Sequence, residues 1–332
     1  MQKEIKIAFF ELEGWERNLI EKELNKYKNL KLLFTTELAK PGDYDIISVF
    51  VYSKIDRDFI DNSKNLKLII TRSAGIEHIE VDYAKQRGIE VKNCPSYGPH
   101  SVAEHSFLLL LAVIRELLKT INEKYTFNVK DVEVRGYELK GKKIGIIGTG
   151  KIGSIACEIA LGFKMKVLAY DKYPKEELIK KGVEYKSFEE ILKEADILSF
   201  YVPLLPETKY MLNTNNINKL KKGVIIINVS RGPVIETKAL LKGLKNGIIQ
   251  GVGLDVVEGE RIFKICELKG SEFLEEATKE ELIRFIEMIE LFQRFKDRVI
   301  ITPHIAYNTW ESINNIWDTT LGYIKEYLKT NL

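Results

Sequence analysis

Three side chains of this sequence could do acid–base work on a small anion: Arg231, Glu260 and His304. Each follows an apolar run, in Asn228-Val-Ser-Arg-Gly-Pro233, Gly253-Leu-Asp-Val-Val-Glu-Gly-Glu260 and Ile301-Thr-Pro-His-Ile-Ala306. Such runs read as strands. In open α/β sheets, ligands bind at the carboxyl ends of strands. Taken singly, Arg231 could be a surface ion pair, Glu260 a solvated loop charge and His304 a helix cap. Together they supply an anion clamp, an imidazole that can give or take a proton, and a carboxylate to tune it.

A second constellation binds rather than reacts. The apolar run 143–147 leads into Gly148-Thr-Gly-Lys-Ile-Gly153 and then into a segment of helical period. Gly-x-Gly-x-x-Gly between a strand and a helix is a dinucleotide fingerprint. Gly148 permits the tight turn, Gly150 lets the backbone approach a pyrophosphate, and Gly153 lets helix and strand pack closely. The helix N-terminus offers free N–H groups to the phosphates. A further run, 166–170, ends in Asp171, 18 residues after Gly153. An acid there accepts hydrogen bonds from ribose hydroxyls and repels a 2′-phosphate, which favours NAD over NADP. Lys172 beside it opposes that preference.

These residues need elements to hold them. Apolar, β-branched runs at 5–10, 46–52, 66–71, 144–147, 166–170, 197–201, 224–228, 249–254 and 299–302 predict strands. Helical periodicity over 15–26, 81–86, 188–193 and 237–245 falls between them. The alternation predicts an α/β protein with parallel sheets covered on both faces and too many strands for one small sheet. A long helix is expected from Ser101 to about Ile121, with Ser101 as N-cap and Glu104 completing a capping box. The domains read as 1–99 plus 298–332 for substrate, and 100–297 for the nucleotide.

Composition excludes several classes. The 332 residues carry 51 Lys and Arg against 48 Asp and Glu, a net charge of +3, which argues against a polyanion-seeking protein. A local basic patch remains open. The longest apolar run, 107–114, is far short of a membrane span, and the first ten residues alternate like a strand rather than a signal peptide. Cys94, Cys157 and Cys266 are widely spaced without a Cys-x-x-Cys pair, so no disulfide framework or structural zinc is expected. His100 and His105, five apart, miss the three-or-four spacing of ligands on one helical face and read as structural. His78 reads as a surface or interdomain residue. The expected setting is a reducing cytoplasm, with no nucleic-acid or membrane partner and no metal.

The order of Gly-Thr-Gly-Lys-Ile-Gly, Asn-Val-Ser-Arg-Gly, Leu-Asp-Val-x-Glu-Gly-Glu and Thr-Pro-His resembles the D-2-hydroxyacid dehydrogenase family over nearly the whole chain. Arg231 lies 24 residues before Asp255, and Asp255 five before Glu260. Within the family, segments 255–263 and 304–307 look most like the D-lactate dehydrogenase branch. The resemblance implies an α/β fold of two Rossmann-like or flavodoxin-like parallel-sheet domains with a cleft between them. It also implies NAD-dependent reduction of pyruvate to D-lactate and a homodimer, the helix from Ser101 serving as dimerisation arm or as a buried interlayer helix.

By the same resemblance Arg231 grips the substrate carboxylate, His304 is the general acid and Glu260 fixes its tautomer. Lys151 and Ile152 meet the pyrophosphate, and Asp171 the ribose. Val202, Pro203 and Thr208 lie on the adenosine side. Val229, Ser230, Arg231 and Asp255 border the nicotinamide, with Asp255 alternatively a strand-end cap. Gly75 and Ile76 hold the carboxylate through backbone N–H groups. Tyr52, Tyr97 and Tyr307 are wall residues or simple packing. Two departures stand out: Gly98-Pro99-His100 ahead of the long helix, and the charged segment 262–280. Rival readings are a relative acting on larger 2-oxo acids or on glyoxylate and hydroxypyruvate, and an NAD-sensing binding protein like the corepressors of this fold.

Overall fold

The apolar runs become two all-parallel sheets. The computed structural model describes residues 4–122, 134–260, 262 and 278–331, so Cys266 and most of the charged segment 262–280 lie outside the described residues. The chain divides into two units, Met1–Gly98 with Thr309–Leu332, and Pro99–Asn308.

The first unit holds β1 (Ile5–Phe9), β2 (Leu30–Phe34), β3 (Ile46–Val49), β4 (Leu68–Thr71) and β5 (Glu90–Asn93), in the order β2-β1-β3-β4-β5. This is the flavodoxin-like order, whose crevice opens where β1 and β3 diverge. Successive side chains of a strand point to opposite faces. Ile5, Ile7 and Phe9 pack with Ile20 and Leu24 of the helix Glu16–Leu24 and with Trp317 and Leu321 of the helix Trp310–Asn331. Ala8, Ile47, Val49 and Ile69 serve the other face, against Phe59 and Ala84.

The second unit holds β6 (Lys143–Ile147), β7 (Lys166–Tyr170), β8 (Glu184–Tyr185), β9 (Ile197–Phe200), β10 (Val224–Asn228), β11 (Ile249–Leu254) and β12 (Val299–Ile301). Their order is β12-β11-β10-β9-β6-β7-β8, the Rossmann order with an added edge strand. The strand order reverses between β6 and β9, so the crevice lies at the ends of those two strands. Ile144, Ile146 and Val167 pack against Ala156 and Ala160 of the helix Lys151–Gly162 and Leu110 and Ile114 of the helix Pro99–Ile114. The opposite face, with Leu198, Ile226 and Val252, takes Leu240 and Leu244 of the helix Thr237–Lys245.

Two expectations are corrected. Residues 298–308 do not return to the first domain, because Val299, Ile300 and Ile301 pair in parallel with Val252, Gly253 and Leu254. The chain crosses back only at Thr309. The long helix is also two helices, Pro99–Ile114 and Leu117–Asn122. Glu116 between them has φ +50, and the Ile114 carbonyl accepts a hydrogen bond from the Tyr137 N–H at 3.1 Å instead of continuing the ladder. Pro99 takes the first helical position, where its missing N–H costs nothing, so Ser101 lies inside the first turn rather than capping it. Among the described residues no helix is long and apolar enough to cross a membrane, and no three His, Cys, Asp or Glu side chains gather as a metal site.

Candidate active site

The glycine loop stands at the β6–β9 crevice. Gly148 has φ +92, and a Cβ there would come within 2.9 Å of Val202 Cγ1. A Cβ on Gly153 would lie 1.9 Å from the Gly148 carbonyl oxygen. Gly150 differs: a Cβ on it would meet nothing within 4 Å. Its bare backbone therefore faces open space, immediately before the helix Lys151–Gly162, whose first N–H groups have no partner within the helix. That is the fit a pyrophosphate requires. Lys151 begins the helix exposed, and Ile152 is half-buried.

Asp171, at the end of β7, does more than mark a ribose site. One carboxylate oxygen accepts from the Thr149 N–H at 2.6 Å and the other from the Tyr173 N–H at 2.9 Å, so it braces the glycine loop. Lys172 pairs with Glu207 at 2.7 Å, which offsets the charge that would attract a 2′-phosphate. After β9 come Val202 and Pro203. The Thr208 hydroxyl donates to the Pro203 carbonyl at 2.6 Å and accepts from the Leu205 N–H at 2.7 Å, fixing the loop between them.

The reacting groups sit on the loops after β10, β11 and β12. Buried Asn228 ends β10 and builds the turn that carries Arg231. Its Oδ1 accepts from the Ser230 N–H and hydroxyl at 3.0 and 2.7 Å, and its Nδ2 donates to the Arg231 carbonyl at 3.0 Å. Val229 and Ser230 are buried in this turn, and Arg231 itself is half-buried. Asp255 immediately follows β11 and is 2% exposed. Its carboxylate accepts from the Thr302 hydroxyl at 2.6 Å and from the Ile305 and Ala306 N–H groups, each at 2.9 Å. The strand-end-cap role of Asp255 is thus visible in its partners.

Glu260 and His304 meet, Oε1 to Nδ1, at 3.0 Å. Burial alone would lower the imidazole pKa. The Glu260 hydrogen bond, with the charges of Glu260 and Asp255, outweighs both that and the repulsion of nearby Arg231, and holds it above the usual 6.5. His304 is therefore biased toward the imidazolium, a proton donor beside a cationic clamp. Because Nδ1 is engaged by Glu260, Nε2 is the nitrogen left for a substrate.

In the first unit the sequence-derived positions fall on loops after β3, β4 and β5. Tyr52 is half-buried, and its N–H donates to Glu11 Oε1 at 3.0 Å, while Phe50 packs edge-on against its ring at 5.8 Å. Glu11 also accepts from the Phe50 N–H at 2.8 Å and the Ser53 hydroxyl at 2.7 Å. Fully enclosed Arg72 donates to the Phe10 and Glu11 carbonyls at 2.8 and 3.0 Å. The Gly75 carbonyl accepts from the Ser73 hydroxyl at 2.6 Å, and Ile76 beside it is 39% exposed. The Tyr97 carbonyl accepts from Asn315 at 2.9 Å. His78 is half-buried and bonded to Thr71 at 3.1 Å, a partner within its own unit, so it is not a plain surface residue. Tyr307 lies half-buried in the second unit, three residues after His304.

Sequence reasoning missed Glu11, Arg72 and the brace formed by Asn228. It also missed Glu258, 3% exposed, which accepts from the Tyr210 hydroxyl at 2.7 Å and the Thr237 N–H at 2.6 Å and anchors the base of the Glu260 loop. An acid two residues before Glu260 in an otherwise apolar run was the available signal.

Comparison with known proteins settles the family. Residues 107–306 match the family model of the D-isomer specific 2-hydroxyacid dehydrogenase NAD-binding domain. The chain belongs to the D-2-hydroxyacid dehydrogenases. It carries their NAD-binding domain, and the glycine loop described above is where its residues would hold that cofactor. Among solved structures it is similar to D-lactate dehydrogenase from Aquifex aeolicus complexed with NAD and lactic acid, with a TM-score of 0.85 and 36% identity over 98% of this chain and 96% of that one. Among characterised sequences it is similar to the glyoxylate reductase of Pyrococcus furiosus, 34% identical over 91% of this chain and 82% of the relative. It is 35% identical to an aromatic 2-oxoacid reductase of Clostridium sporogenes, over 86% and 83%. This dehydrogenase therefore has relatives named for three different substrates at nearly equal identity.

Proposed function

We propose that this dehydrogenase reduces pyruvate to D-lactate, reversibly, with Arg231, Glu260 and His304 as its reacting set. The observation that carries the reading is the His304–Glu260 contact at 3.0 Å, formed by two loops that leave adjacent strands of the nucleotide-binding sheet. Bound NADH supplies the hydride for the carbonyl carbon. Arg231, a planar fork, grips the substrate carboxylate and polarises the carbonyl. His304 Nε2 passes its proton to the carbonyl oxygen, and Glu260 stabilises the imidazolium until it does so. In lactate oxidation neutral His304 takes the hydroxyl proton. Gly75 and Ile76 would offer N–H groups to the carboxylate, and Val229, Ser230 and Asp255 would border the nicotinamide. Lys151 and Ile152 would meet the pyrophosphate, Asp171 the ribose, and Val202, Pro203 and Thr208 the adenosine.

Two observations support a small substrate. Glu11 fixes the loop carrying Tyr52, and Phe50 backs its ring, so an aromatic wall residue there cannot easily swing away. Tyr97, in the same unit, would extend that wall. The likeness to a lactate enzyme also spans nearly the whole chain. The aromatic and glyoxylate relatives support the second reading, a dehydrogenase acting on larger 2-oxo acids or on glyoxylate and hydroxypyruvate. NADH oxidation with pyruvate, glyoxylate, hydroxypyruvate, 2-ketoisocaproate and phenylpyruvate tests both. The proposal expects the highest kcat/KM for pyruvate. A higher value for any of the other four acids would move the assignment to the second reading, and tight NADH binding without turnover would favour a sensor.

A homodimer is part of the same reading. Leu108 and Leu111, on the helix Pro99–Ile114, and Leu117 and Ile121, on the helix Leu117–Asn122, are 55, 36, 43 and 54% exposed. Exposed apolar side chains grouped this way favour a protein–protein contact. Light scattering should give twice the 38.3 kDa chain mass, and a monomer with Leu108→Glu in place would locate the contact here.

A further inference from the structure

His304 stands in a backbone conformation that L-residues seldom adopt, with φ +55. Such strain persists only where surrounding contacts over-determine it. Asp255 provides most of them. Its carbonyl accepts from the His304 N–H at 3.0 Å, and its carboxylate accepts from the Thr302 hydroxyl and from the next two N–H groups, of Ile305 and Ala306. Four contacts from one residue thus fix both flanks of the strained position.

Behind Asp255 lies a second imidazole. His105, on the helix Pro99–Ile114, is 11% exposed, with Nε2 3.0 Å from the Thr302 hydroxyl and 3.4 Å from Asp255 Oδ1. Proton counting fixes its tautomer. An ionised carboxylate only accepts, and the Thr302 hydroxyl has a single proton, which at 2.6 Å points to Asp255. The Thr302 oxygen must then accept from His105, so Nε2 carries a hydrogen. The carboxylate's ionised state is consistent with its surroundings. Burial would push it toward the neutral acid, but the hydrogen bonds from His105, Thr302, Ala306 and Ile305 prevail and hold it below the usual carboxylate range.

We propose that His105 is a positioning residue for proton transfer: its Nε2–H, shared between Thr302 and Asp255, locks the loop that presents His304 to Glu260. His105 acts through these two side chains and not on substrate. The inference rests on His304 being the proton donor, so its test is made on the protein without ligands as well as in turnover.

The chain has only four histidines, so ring NMR signals can be followed one by one. His105→Leu removes the donor at similar size, Thr302→Val breaks the relay with His105 retained, and His105→Gln places an amide N–H near the position of Nε2. In His105→Leu and Thr302→Val the His304 pKa should fall by roughly one pH unit. In the same variants kcat should drop about 10²-fold, as for a small misplacement of a reacting group, with NADH affinity unchanged. His105→Gln should restore both. If Thr302→Val titrates and turns over like wild type, or if His105→Gln fails as badly as His105→Leu, the proposal is overturned. If the His304 titration shifts as expected but no 2-oxo acid is reduced by the wild type, the positioning role stands and the proposed activity fails.

Discussion

His304→Gln should lower kcat for 2-oxo acid reduction by about 10²–10⁴-fold, the usual contribution of a positioned acid–base group. Glutamine keeps a hydrogen-bonding amide in roughly the same volume but cannot carry the transferred proton. The loop should survive the change, because Asp255 holds it through backbone N–H groups that glutamine at 304 leaves in place: its carbonyl takes the N–H of residue 304 and its carboxylate those of Ile305 and Ala306. NADH affinity, measured by fluorescence titration, should therefore match wild type. Parallel loss of cofactor binding would mean that the substitution had disturbed the fold of the nucleotide site, and a kcat within a few-fold of wild type would remove His304 from the chemistry.

Arg231 should show a different signature. Replacing it with Gln removes one partner of a hydrogen-bonded charge pair with the substrate carboxylate, a change worth about 2–5 kcal/mol where such pairs are shielded from water. The expected result is a fall in kcat/KM of about 10²–10³-fold, with KM raised by the lost grip on the carboxylate and kcat lowered by the lost polarisation of the carbonyl. Arg231→Lys should recover only part of it, since an ammonium restores charge without the bidentate fork. Arg231 is held by a turn that Asn228 builds, so melting temperature should change little in either variant. Equal activity of the Lys and wild-type enzymes would show that charge alone suffices and that the fork has no role.

The reacting residues were legible in the sequence because each follows an apolar run: β10 and β11 lie inside the sheet, and β12, although at its edge, is uniformly apolar as Val299-Ile-Ile301. Interior parallel strands, covered on both faces, read as continuous apolar runs. What escaped lies at the sheet edges and in long-range contacts. β2, β5 and β8 are edge strands, and Leu30-Lys-Leu-Leu-Phe34 and Glu90-Val-Lys-Asn93 interleave charges with apolar residues because one side is wet. His105 could be judged from sequence only by helical spacing, whereas its partners Thr302 and Asp255 arrive from strands folded far along the chain. Glu11 and Arg72 are likewise clamps between loops, with no periodic signature. The break at Glu116 depends on Tyr137 returning to the Ile114 carbonyl, a contact no local pattern encodes.

In the proposed reaction one imidazole, held in its charged form by Glu260, gives a proton in reduction and takes one in oxidation. Its folded-state pKa lies above 6.5, so the protonated form is fully present below that value and is lost as pH rises through the higher one. The direct measurement is kcat/KM against pH for pyruvate reduction and D-lactate oxidation, in wild type and in Glu260→Gln. Reduction should decline and oxidation rise through one shared ionisation above pH 6.5. Both transitions should move to lower pH in Glu260→Gln. Profiles that run in the same direction, or transitions that do not move when Glu260 is neutralised, would contradict it.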